Sequence, residues 1–237
     1  MKKCECKKSG GVVNPYDALG KVHNEGLDYV VARLNPEEET KYERVVELVS
    51  QYLVAISKDE PHTDDCNSNT NGFMYGYVAV GKAMNLIATP SVDDITNEAG
   101  FNPTQKGFIN AILNVSDERA IDFEGTLKIL QNIEEQILNS GLTPEEMEVP
   151  LITASISKYS VKYFMDHIND LDGKWKFFIE DDIAKFKWPW KADGKGAIGG
   201  ALGGVTSGPG GVVIGAIGGA LGSSVAAALG LSDTAAS

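Results

Sequence analysis

Cysteine and histidine are scarce in this 237-residue chain, with three of each. Cys4, Cys6 and Cys66 are an odd count with a Cys-x-Cys start, which does not build a disulfide framework. Basic residues are in deficit, 21 against 33 acids, and the resulting net charge of -12 excludes nucleic acid as a bulk partner because backbone phosphates would be repelled. The basic residues from Met1 to Gly11 lack the apolar core of a secretory signal peptide. Synthesis in the cytoplasm is therefore expected, with membrane association or export by a route without a Sec signal left open. No segment sustains period-two alternation, which argues against a sheet. No GxSxG, HExxH or paired-cysteine arrangement occurs, so a protein without catalytic residues or a cofactor is expected.

What is present is a globular composition, 43% hydrophobic and 23% charged, with an uneven distribution of charge. Residues 1–8 carry a net +3, residues 9–173 a net -16, residues 174–195 a net +2, and none of residues 196–232 is charged. An acidic body is joined through a lysine-rich collar to an apolar end.

The body reads as successive helices. Asn14-Pro15 supplies a cap and an N1 proline, after which Tyr16, Leu19, Val22, His23, Leu27, Val30, Val31 and Leu34 recur at helical spacing. Asn35-Pro36 with Glu37, Glu38 and Glu39 predicts a second start, placing Tyr42, Val45, Val46, Val49, Tyr52, Leu53 and Ile56 on one face. Residues 58–72 read as a loop, and Gly72 to Thr89 as an apolar helix suited to the bundle centre. Ser91 predicts a short helix, Asn102-Pro103 one running to about Asn114, and Ser116 a long one to Ser140, with Gly141 just past its end. Thr143-Pro144 opens another to about His167, and Trp175 to about Lys187 reads as the last of the body. The expected fold is all-α: a bundle of six or seven helices with a C-terminal glycine-rich helical hairpin. The expected organisation is a basic segment 1–13, an acidic bundle 14–187 and a tail 188–237.

Of the 26 glycines, 14 lie within residues 192–237. The octapeptide Gly196-Ala197-Ile198-Gly199-Gly200-Ala201-Leu202-Gly203 recurs identically at 215–222, with the turn signal Thr206-Ser207-Gly208-Pro209-Gly210-Gly211 between the copies. Gly196, Gly200 and Gly204 fall four apart in the first arm, Gly215 and Gly219 in the second, and Gly222 ends a neighbouring register with Gly218. On helices this spacing makes flat faces across which two backbones approach closely. Gly211 to Gly230 is long enough to span a bilayer, whereas Gly196 to Val205 is not. Lys187, Trp188, Trp190 and Lys191 precede the first arm, tryptophan suiting the headgroup region and lysine the lipid phosphates.

Taken together, these tandem blocks and their flanking lysine and tryptophan resemble the glycine-zipper helices of class II and two-peptide bacteriocins, over about 45 residues of the 237. That resemblance implies permeabilisation of target membranes by paired GxxxG helices. Asn14-Pro15-Tyr16-Asp17 with His23-Asn24-Glu25-Gly26-Leu27-Asp28-Tyr29 is similar to uncharacterised proteins of Bacteroidota-type bacteria, which implies a lineage and no activity.

Other motifs do not hold up. Gly194-Lys195-Gly196-Ala197-Ile198-Gly199 matches GxGxxG but follows Trp-Pro-Trp rather than an apolar strand, and Gly76–Ala83 resembles a P-loop in which Ala83 replaces the Mg²⁺-holding hydroxyl. Cys4, Cys6, His62 and Cys66 have the right donor types for zinc, but their spacing is that of no usual finger or ribbon. His23 falls on the apolar stripe of its helix, where a packed, hydrogen-bonded histidine is the commoner outcome; a catalytic role would need a pocket near His23 or His167. The expectation is thus a non-enzymatic bacterial protein whose tail engages membrane lipid or self-associates as a homo-oligomer. The alternative is a soluble helical scaffold for a protein partner, with the tail as tether.

Overall fold

A computed structural model describes residues 13–35, 41–58, 96–97, 100–115, 122–167, 190–204 and 209–229. Seven long helices make up the described part, which is all-α: α1 (Asp17–Val31), α2 (Lys41–Lys58), α3 (Pro103–Asn114), α4 (Phe123–Leu138), α5 (Pro144–His167), α6 (Trp190–Gly204) and α7 (Pro209–Ala228). The helices expected at 72–89 and 175–187, all of the loop expected at 58–72 except Lys58, which ends α2, and Glu37 to Glu39 lie outside the described residues, as do Cys4, Cys6, His62 and Cys66.

Several termini form where local chemistry demands. Asn102 caps α3, its side chain accepting from the Gln105 amide at 2.9 Å while the Gln105 side chain accepts from the Asn102 amide at 3.0 Å. Thr143 and Glu146 make the same reciprocal pair at the start of α5, at 3.3 and 2.9 Å. Gly141 adopts φ +75° between α4 and α5, a conformation that glycine alone enters freely.

Two starts differ from expectation. Helix α4 begins at Phe123, with Asp122 accepting from the Gly125 amide at 2.9 Å, so no helix runs continuously from Ser116. Helix α1 begins at Asp17 rather than directly after Asn14-Pro15. The Asn14 side-chain oxygen accepts from the Tyr16 amide at 2.9 Å, while its amide nitrogen reaches partners far along the chain, donating to Glu134 Oε1 at 2.5 Å and to the Leu151 carbonyl at 3.1 Å. Glu134 and Asp17 in turn flank Lys158, whose Nζ lies 2.8 Å from one carboxylate and 2.5 Å from the other. Burial pushes the Asp17 carboxyl up, but Lys158 and the Tyr159 hydroxyl outweigh it and hold the group below its usual range. This network ties α1, α4 and α5 together.

Helix α5 is buried around most of its circumference from Val149 to Phe164 and packs on α1, α3, α4, α6 and α7. Among the described residues, the central place belongs to α5 together with the hairpin. One side of α7 (Ile217, Leu221, Val225) packs with α1 and α2, and the other (Val212, Ala216, Ala220) with α3, α5 and α6. Two glycines of α1 permit these approaches. A methyl group at Gly20 would lie 2.6 Å from Tyr159 Cγ, and one at Gly26 would lie 2.8 Å from Tyr52 Cε1 and 2.9 Å from Leu221 Cδ2.

One chemical change should therefore act with opposite signs at two helical glycines. Gly107→Ala in α3, where an added methyl meets nothing within 4 Å, raises stability by about 0.5–1 kcal/mol through helix propensity. Gly20→Ala, which drives a methyl into the root of the half-buried Tyr159, lowers it by about 1–3 kcal/mol. Urea unfolding monitored by circular dichroism measures both, and equal signs would mean that the α1–α5 approach is looser than described.

Candidate functional site

The most closely packed pair in the molecule is α6 with α7, an antiparallel hairpin in contact through glycine. A Cβ placed on Gly196 would lie 2.7 Å from the Gly219 carbonyl carbon, and one on Gly219 3.0 Å from that of Gly196. One on Gly200 would lie 2.6 Å from the Gly215 carbonyl carbon, and one on Gly215 2.9 Å from that of Gly200. Gly204 meets Gly211 and the Val212 nitrogen in the same way, at 2.9 Å from the latter. What faces each glycine is backbone, joined at Gly196 by the Ser223 hydroxyl, and backbone cannot turn aside as a flexible side chain would.

Gly196 and Gly215 occupy the first place of the two octapeptides, Gly200 and Gly219 the fifth. The first residue of each copy therefore meets the fifth residue of the other. Exchanging the arms maps the contact onto itself, which is the self-complementarity of an isologous interface built inside one chain.

The structure thus brings together Gly196, Gly200, Gly204, Gly215 and Gly219. Gly222 is buried on α7, and Gly218 turns to α2, where its added methyl would lie 2.6 Å from Leu53 Cδ1. Lys187 and Trp188 lie outside the described residues, and of Trp190 and Lys191 only the helical backbone is described. Helix α7 from Gly210 to Ala228 is long and apolar enough to cross a membrane, and 78% of its apolar window is buried within the protein. A core helix of a soluble protein has the same two properties, so length and composition alone do not place it in lipid.

At the root of the hairpin lies a feature that helical periodicity did not flag. Asp193, one turn before Gly196 on α6, is fully buried, as is His23 of α1, and His23 Nε2 stands 3.8 Å from Asp193 Oδ2. The Ser160 hydroxyl of α5 donates to the same carboxyl oxygen. Burial pushes the Asp193 carboxyl up to about 7, against the pull of the Ser160 and Ser224 hydroxyls, and pushes His23 down to about 4, against its bond to Asn24. The signal available in the sequence was an acid standing alone at the edge of 37 uncharged residues, on the glycine face extended back by one turn.

What this arrangement offers is close helix association; the His23–Asp193–Ser160 cluster is closed to solvent, and no group of three or more metal-ligating side chains occurs among the described residues. Comparison of the chain with protein-family models, with curated proteins and with solved structures gives no match.

Single alanine substitutions should expose the backbone contact. Gly200→Ala and Gly215→Ala each lower stability to urea by about 1–3 kcal/mol. The double variant costs less than their sum, because the first methyl has already separated the helices. Gly210→Ala, in open space, costs nothing. Strict additivity of the pair would show that the two glycines do not share one contact.

Proposed function

We propose that this is a non-enzymatic protein of bacteriocin-like character, in which a folded acidic bundle carries a glycine-zipper hairpin for membranes. On leaving the bundle, α7 enters the hydrocarbon and α6, too short to span, stays at the interface with the lysine and tryptophan collar. Glycine faces vacated in lipid pair again, within one chain or between copies in a homo-oligomer. The observation that carries this reading is a bilayer-length apolar helix whose glycines form a complementary backbone face. Glycine-rich helices are poor in water, each interior glycine costing about 1 kcal/mol relative to alanine, whereas lipid enforces the helix by penalising unpaired amides.

A second reading is favoured by the burial of α7. There the hairpin is the permanent core of a soluble scaffold whose acidic surface binds a protein partner.

Deleting the tail cannot separate these readings, because Ile217, Leu221, Val225, Ala216 and Ala220 belong to the core. A reversible staple on the full chain can. With Cys4, Cys6 and Cys66 replaced by serine, Leu53→Cys with Gly218→Cys joins α2 to α7 where they already touch. The reduced protein should bind phosphatidylglycerol-containing vesicles and release an enclosed dye. The oxidised protein should do neither, and dithiothreitol should restore both. Leakage that survives oxidation would remove the hairpin as effector, and absence of binding by the reduced protein would favour the soluble scaffold.

A further inference from the structure

The root of the hairpin carries two ionisable side chains where an apolar helix needs none. His23 and Asp193 are both 0% exposed and come from helices far apart in sequence, α1 and α6. An isolated charge in such a place costs many kcal/mol, so the pair must be neutral as a unit.

The hydrogen bonds say where the protons sit. The Asn24 amide nitrogen donates to the Tyr159 carbonyl at 3.0 Å, which leaves Asn24 Oδ1 to accept from His23 Nδ1 at 3.1 Å. Nδ1 therefore carries a hydrogen, and Nε2, which has no hydrogen-bond partner, faces Asp193 Oδ2 at 3.8 Å as the only other titratable position of the ring. Whether the pair's one exchangeable proton rests on that nitrogen or on the carboxyl, its charge is zero.

Among the described residues, no charged side chain contributes to the shift of either group. Helix α2 presents Tyr52, whose hydroxyl donates to the Val22 carbonyl at 2.6 Å and whose ionisation is pushed up by burial and by Glu25. Helix α5 presents Ser160 and Tyr159; the Tyr159 hydroxyl turns to Asp17, and Lys158 is committed to Asp17 and Glu134. Helix α7 presents the hydroxyls of Ser223 and Ser224, and α3 reaches Gly194 with Leu113. On α6 itself the cation two residues along is Lys195, and Asp193 takes its shift from burial and the two hydroxyls, Ser160 and Ser224.

We propose that His23 and Asp193 form a one-proton lock at the root of the hairpin: the pair keeps the seat neutral, so that in mildly acidic solution docking and release exchange no proton with solvent and are insulated from pH. The accounting follows from linkage. Alone, His23 would be neutral when seated and charged when released, so the stability it contributes is full above about 6.5 and is lost as pH falls towards about 4. Alone, Asp193 would be protonated when seated and ionised when released, so its contribution is full below about 3.8 and is lost as pH rises towards about 7. Between about 4 and 6.5 the released pair also holds one proton, now on the imidazole, and the two slopes cancel. The lock rests on the proposed function only for what release leads to; the neutrality of the seat stands by itself.

The test is urea unfolding of the full chain from pH 4.5 to 7.5 for the parent, Asp193→Asn, His23→Gln and the double variant, each compared with the parent at the same pH. Asp193→Asn should become less stable towards acid, its unfolding constant rising about tenfold per pH unit below 6.5 relative to the parent. His23→Gln should show the opposite slope, and the double variant none. Each single variant has a pH at which it is expected to fold, and failure of both at every pH would overturn the lock. In the parent, the imidazole resonance missing from His23→Gln should not titrate above pH 5; titration near 6.5, or equal slopes in both single variants, would also overturn it. Vesicle binding by the reduced parent, measured separately, decides the membrane reading, so either idea can fail without the other.

Discussion

The packing of this protein depends on two helix backbones touching. Where α6 crosses α7 the facing atoms are chiefly carbonyls and α-carbons, with the Ser223 hydroxyl the one side-chain group against Gly196. At such separations dispersion and Cα–H···O contacts act along the whole seam. The same closeness makes the hairpin narrow enough to lie among α1, α2, α3 and α5, with the outer sides of α7 supplying isoleucine, leucine and valine to cores on opposite sides. A leucine-lined pair would be wider, and the helices around it would have to stand further apart.

That arrangement also explains the rest of the glycine pattern. Gly20 and Gly26 thin α1 where it meets Tyr159 and Leu221, and Gly218 thins α7 where it meets Leu53. Close approach at the hairpin thus propagates outward. The polar seat at its root serves the same assembly by fixing how far α6 slides along α1 and α5. Asp193 meets Ser160 and His23 in only one register of that helix.

What could be read from the sequence divides by range. The helical class, the α3 and α5 starts and the turn at Gly141 are set by residues within four positions of one another, and they form as periodicity and capping require. Asn14 accepts from the Tyr16 amide at the helix entry as its capping chemistry requires, but its bonds to Glu134 and Leu151, 120 and 137 residues away, could not be read locally. Gly20 and Gly26 passed unremarked for a similar reason, since what they accommodate, a tyrosine ring and a leucine, belongs to other helices. For the hairpin, the fourfold spacing announced a glycine face on each arm. The turn signal between the copies joined the arms into a hairpin, but nothing in the spacing placed that hairpin within the bundle. His23 could be recognised as packed from its place on the apolar stripe, whereas its partner Asp193 lies 170 positions further on and no local pattern joins them.

Each arm of the hairpin contains six glycines. Glycine surrenders more backbone freedom on ordering than any other residue and brings no side chain to bury. A helix pair built this way therefore regains an unusually large entropy per residue on coming apart, while giving up little apolar contact for each residue freed. Its hold on the bundle weakens with warming faster than that of α1 or α5, whose ordered residues carry leucine, isoleucine and tyrosine. With its root insulated from mild acidity, the hairpin is set to respond to heat.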